Sequence, residues 1–235
     1  MPTDLLGGWG ELTAALLVFL LTHVIPSRPQ VRARLVALAG QRAYLVAYSL
    51  MSLLVLAWLI LASANAPFVE LWPFEEWQRL IPQAGMLVAS LLLVFGLSSP
   101  NPASLGRGKG PGFDPARPGI VGVVRHPVLW AALIWSVSHL VPNGDVAHFI
   151  LFGLFAAFAA AGMLALDRRA ARRLGEARWQ ALASSSSNIP FARMPRGWWL
   201  QFDAADAARF GGGILLYAAL LFGHPYFTGV TALSP

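Results

Sequence analysis

Six apolar runs punctuate the chain, at 9–25, 43–64, 80–98, 127–141, 146–166 and 208–226. A helix needs about 20 mostly apolar residues to cross a hydrocarbon core of about 30 Å. In lipid, only structures that satisfy every backbone hydrogen bond internally can span. Of 235 residues, 57% are hydrophobic and 12% charged, roughly half the charged share of a soluble domain. These features predict an all-α fold: a polytopic membrane bundle of about six transmembrane helices, forming one domain over 1–235. A soluble enzyme is excluded. The first run lacks a basic leader, having Asp4 and Glu11 instead, so it is expected to stay as a membrane helix and not to be cleaved as a signal.

The arginines set the expected sidedness. Arg28, Arg32, Arg34 and Arg42 fill the first connection. Arg107, Lys109, Arg117 and Arg125 fill the third, and a cluster from Arg168 to Arg209 fills the fifth. In a six-span chain these connections share one side, which the positive-inside rule assigns to the cytoplasm. Both termini then face the outer (periplasmic) side. The net charge of +6 is thereby explained by anionic lipid, without a nucleic-acid partner. Pro142-Asn143-Gly144-Asp145 is expected to be a tight turn, with Asn143 and Asp145 as turn and cap residues. Trp198 and Trp199 are expected to anchor the last span at the interface. The glycine run at 106–112 lacks the Gly-Lys-Ser/Thr ending of a phosphate loop and is not read as one.

The absence of cysteine excludes disulfides, iron–sulfur clusters and thiolate-held metals. The apolar runs contain almost no acid, which weakens carboxylate hydrolysis or proton pumping. What remains is histidine: His23, His126, His139, His148 and His224. Neutral imidazole is the least costly ionisable side chain inside a membrane and a good iron ligand. His148, beside the turn, is expected only to hydrogen-bond locally. In Arg125-His126-Pro127 the proline suits the first turn of a helix, which puts Arg125 and His126 at its cytoplasmic mouth, able to meet an anionic group. Trp135, four residues before His139, shares its helical face. By depth in the six-span scheme His23 matches His126, and His139 matches His224. The residues alone leave the pairing open.

Four blocks resemble the NnrU family, which includes the plant and cyanobacterial 15-cis-zeta-carotene isomerases. They are His23-Val-Ile-Pro-Ser-Arg28 through Arg34, and Gly40-Gln-Arg-Ala-Tyr44. The third is Val124-Arg125-His126-Pro127 through His139 and Asn143-Gly144-Asp145. The fourth runs from Leu174-Gly175-Glu176 to Ser187-Asn-Ile-Pro190-Phe191, with His224-Pro225 beyond it. The resemblance implies a multi-pass protein of the bacterial inner (cytoplasmic) membrane. In its isomerase branch it also implies haem b held by two histidines, corresponding here to His23 and His139. His126 and His224 are the reserve ligands, and Arg125 and Trp135 the expected haem contacts.

Three functions compete on this basis. One is a haem-dependent cis–trans isomerase acting on a 15-cis-zeta-carotene-like polyene. Another is a non-enzymatic haem protein that handles nitric oxide for denitrification. A third, suggested by the Arg-His-Pro motif, is an S-adenosylmethionine-dependent membrane methyltransferase. A scaffold in which the histidines merely pack is the fourth reading.

Overall fold

The structure is a computed structural model that describes residues 4–104, 113–194, 197 and 202–233, with side chains from residue 8 onward. The glycine run at 106–112 and the Trp198-Trp199 pair lie outside the described residues. Helix is the only extended regular structure among the described residues, which hold no strand, only isolated bridges. The helices are α1 (Asp4–Val24), α2 (Pro29–Ala39), α3 (Gln41–Ala64), α4 (Leu80–Ser98) and α5 (Ile120–Val123). They continue with α6 (Pro127–Leu140), α7 (Val146–Leu174), α8 (Glu176–Ser184) and α9 (Ala204–Thr228). A 3₁₀ turn at Glu76–Arg79 leads into α4.

Each of the six apolar runs lies on a helix, α1 beginning five residues before its run and α7 ending eight residues beyond its own. Four helices are long and apolar enough to cross a membrane, the second to fourth of them being Glu76–Ser98, Val146–Leu174 and Ala204–Thr228, after Gln41–Ala64. A fifth counts if the bent pair Gly8–Val24 and Pro29–Ala39 forms one span, and Pro127–Leu140 is a shorter apolar helix. Large apolar side chains point outward from these helices, as at Leu53, Leu54, Leu61 and Leu215. Such surface is costly in water and costs nothing in lipid.

Two compact units emerge from the packing. The first comprises Met1–Pro73 and Gly144–Leu151. Here α1 packs on α3, and α2 turns away from α1 by 78°. The stop between α2 and α3 is Gly40, at φ +81°, a conformation that a Cβ would strain. Tyr44 Oη donates to the carbonyl of Pro26 (3.1 Å), tying the bend to α3. The segment after α3 pairs with the start of α7: Leu71 N–H donates to Gly144 O, and Val146 N–H to Val69 O. A Cβ at Gly144 would collide with the backbone of Trp72.

The second unit comprises Phe74–Asn143 and Phe152–Pro235. Its central helix is α4, which packs against both α6 and α9. The close approaches use glycine: a Cβ on Gly96 would lie 2.8 Å from Val128 and one on Gly213 2.7 Å from Leu91. At one end of these helices α5, the last turns of α7, and α8 close over a small core of Ala103, Val121, Ala170 and Leu182. That core orders the segments that carry the polar cluster described next.

Candidate functional site

The Arg-His-Pro motif is folded into the protein. Val124 is extended, and His126 is the N-cap of α6, with Pro127 opening the helix. Two backbone bonds clamp this stretch to the segment after α8: Arg125 N–H donates to Ser187 O, and Phe191 N–H to Val123 O, each at 2.8 Å. Asn101 Nδ2 holds the Arg125 carbonyl from a third segment (2.8 Å).

Asp167, on α7, is the hub. Its Oδ2 accepts from Arg125 Nη1 (2.7 Å) and Asn188 Nδ2 (2.7 Å), and its Oδ1 from His126 Nε2 (2.8 Å). The rest of the Arg125 guanidinium is also engaged. Nε donates to Ser186 Oγ (3.0 Å) and Nη2 to Ser186 O (2.8 Å), and the group lies 5.0 Å over the Trp179 ring. Trp130 Nε1 donates to the Asn188 carbonyl (3.0 Å). His126 is fully buried, and its Nδ1 has no hydrogen-bond partner among the described residues. The anionic group that meets Arg125 and His126 is thus a carboxylate of the same chain. Asp167 and Asn188 do not stand out by their neighbours in sequence, since Asp167 precedes a run of arginines that reads as solvated helix.

His139 occupies the other end of α6. Its Nδ1 lies 2.8 Å from the Trp135 carbonyl. A carbonyl can only accept, so Nδ1 carries the hydrogen and the Nε2 lone pair is left for another partner. No protein partner of that Nε2 is found among the described residues. The Trp135 ring lies 5.8 Å away and that of Phe152 5.4 Å away. Asn143 Nδ2 caps the His139 carbonyl (2.7 Å). His224 is near enough for the two imidazoles to interact electrostatically, and its own Nδ1 donates to Val230 O (2.7 Å).

In the first unit His23 shares the Nδ1 bond of His139 to the carbonyl four residues back. Its Nδ1 donates to the Phe19 carbonyl four residues back (2.8 Å), and the Phe19 ring stacks on it at 4.0 Å. His148 Nδ1 donates to Asp145 Oδ2 (2.7 Å), while Asp145 Oδ1 accepts from His148 N–H at the start of α7. Asp145 is therefore a helix cap, and His148 is bound to it. Among the described residues no group of three or more His, Asp or Glu is placed to hold a metal ion.

The sequence pattern of the family described as NnrU protein matches residues 11–232. The chain belongs to the NnrU family. No curated protein and no solved structure matches it. The family match takes in both histidine sites and the polar cluster. The third and fourth NnrU blocks, which flank Asp167 in the chain, meet at its carboxylate through Arg125, His126 and Asn188.

Proposed function

We propose that this NnrU-family chain is a b-type haem protein of the bacterial inner membrane, in which His23 and His139 would hold the haem, and that it isomerises a cis double bond of an apolar polyene. The observation that carries the reading is the bond each ligand candidate makes to the carbonyl four residues before it. An iron-binding imidazole commonly gives its other N–H to such an acceptor, which fixes the tautomer and raises the basicity of the ligating nitrogen. His23 and His139 both hold Nδ1–H on a backbone carbonyl, within apolar helices and beside aromatic rings, and this tautomer suits an imidazole that would bind iron through Nε2. His224 shares the tautomer and remains the first reserve. His126 has the opposite one, with Nε2–H committed to Asp167.

A b-type haem, if held by His23 and His139, would supply one-electron exchange chemistry. The chain's own part is to hold the imidazoles, to exclude water with Trp135, Phe152 and Phe155, and to keep acids away from a reaction that moves no proton. The second reading, a haem protein that binds nitric oxide without turnover, uses the same histidines. The methyltransferase reading draws no support from the Arg-His-Pro motif, because Asp167 and Ser186 occupy the guanidinium that would grip a cofactor carboxylate.

The test is an absorption spectrum of detergent-purified protein produced with ample haem, oxidised and then reduced, for the wild type, His23→Ala and His139→Ala. A Soret band with sharp reduced bands, altered in both variants, supports the ligand pair. Conversion of a 15-cis polyene by the reduced protein supports the isomerase, whereas a ferrous–nitric oxide spectrum without conversion favours the second reading. Protein without a Soret band sinks both.

A further inference from the structure

The second unit contains a cavity of about 720 Å³ that the haem reading does not use. Small-molecule sites usually enclose roughly 300–1,000 Å³. Five phenylalanines wall it: Phe95 from α4, Phe113 and Phe191 from the segments before α5 and after α8, and Phe202 and Phe210 at the entry to α9. The polar residues on its lining are mostly spoken for. Asp206 pairs with Arg209 (2.7 Å), and Asp203 accepts from Asp206 N–H as the cap of α9. Arg117, exposed on the lining, has no ion-pair or side-chain hydrogen-bond partner among the described residues.

Phe191 adds an independent sign that the cavity is built for a ligand. It is the one non-glycine with positive φ (64°) among the described residues. For a bulky side chain that conformation is strained, and such strain collects at ligand clamps. The strain is held in place by the Phe191–Val123 backbone bond, beside the buried Arg125–Asp167–Asn188 network. A rigid support is thus spent on presenting one aromatic ring to the cavity.

We propose that this cavity binds a long-chain amphiphile with an anionic head, the chain lying among the phenylalanines and the head on Arg117. The inference stands apart from the haem reading. The apolar walls reject a free inorganic anion, and the unpaired guanidinium favours a carboxylate or phosphate head over a neutral one.

A photoreactive palmitate, with a diazirine on the chain, tests this on the full-length protein in nanodiscs of neutral lipid. Saturable labelling should map by mass spectrometry to peptides carrying the cavity phenylalanines, and unlabelled palmitate should compete it. Arg117→Gln should weaken competition by palmitate about tenfold while leaving competition by hexadecanol unchanged. Phe191→Gly relaxes the backbone, since glycine accepts this φ without strain, so the variant should fold and lose labelling. Hexadecyl phosphate competing as well as palmitate would place the specificity in the charge, and palmitate competing far better would place it in the carboxylate. Labelling spread evenly over lipid-facing α3 and unmoved by either variant would overturn the proposal.

Discussion

His126 Nε2 donates to Asp167 Oδ1 across 2.8 Å from a ring with no solvent exposure, and the same carboxylate neutralises Arg125. Removing one partner of a buried charge network costs more than the network contributes, because the partner left behind has lost both water and its counter-charge. Breaking such a pair typically costs about 3–5 kcal/mol. Asp167→Ala should therefore lower the apparent melting temperature in detergent sharply, by many degrees. Asp206→Ala breaks an ion pair between partly exposed side chains three residues apart, where the expected loss is at most about 1 kcal/mol. Equal shifts in the two variants would mean that the Asp167 cluster contributes no more to stability than a surface ion pair.

The glycines of α4 make a second prediction. A methyl group on Gly96 would meet Val128 and Pro127 at 2.8 and 2.9 Å, one contact reaching the backbone of α6. Gly96→Ala must push α4 and α6 apart, at a cost of about 1–3 kcal/mol. Gly153, on α7, has open space where its Cβ would go. Gly153→Ala should then gain up to about 1 kcal/mol of helix propensity. Thermal unfolding monitored by circular dichroism should show the two alanines moving stability in opposite directions.

The sites were legible in the sequence to different degrees, for physical reasons. Hydrophobic runs are a local signal, so the six main helices stand close to where their apolar residues predict them. α2 was not foreseen: it is short and basic, and it became a helix through Pro29 at its start and Gly40 at its end. His139 and Trp135 were visible as a pair because four residues make a helical neighbour. Asp167 was not, because its meaning lies in partners 41 and 42 residues earlier in the chain. In sequence the Arg-His-Pro motif lies at the mouth of a helix, able to meet an anionic group, and the chain supplies that group itself as Asp167. A motif that reads as a ligand site can equally mark a loop junction, and only the third dimension distinguishes them.

Chemical rescue examines the proposed ligand without relying on loss alone. His139→Gly removes the imidazole and leaves space beside Trp135 and Phe152. If His139 ligates iron, this variant should lose or shift the reduced bands, and added imidazole should restore them, because a free imidazole can re-enter the vacated place. His148→Gly should show neither effect, since His148 is bonded to the α7 cap Asp145. Bands that survive in His139→Gly but vanish in His224→Gly would transfer the role to the first reserve.

The arrangement of the arginines supplies the last prediction. Arg28, Arg32 and Arg34 lie on or beside α2, and Arg168, Arg169, Arg172 and Arg173 on the final turns of α7. The positive-inside rule predicts that both groups lie in the cytoplasm, which would require the chain between α3 and α4 to face the other way. The chain has no cysteine, so single cysteines can report sidedness against no background. Ala33→Cys on α2 and Ala181→Cys on α8, both exposed, should react with a membrane-impermeant maleimide only in inside-out vesicles. Asn65→Cys, exposed just after α3, should react only in right-side-out cells. Ala33 and Asn65 labelled from the same side would mean that α3 does not cross, and the six-span scheme would fall with it.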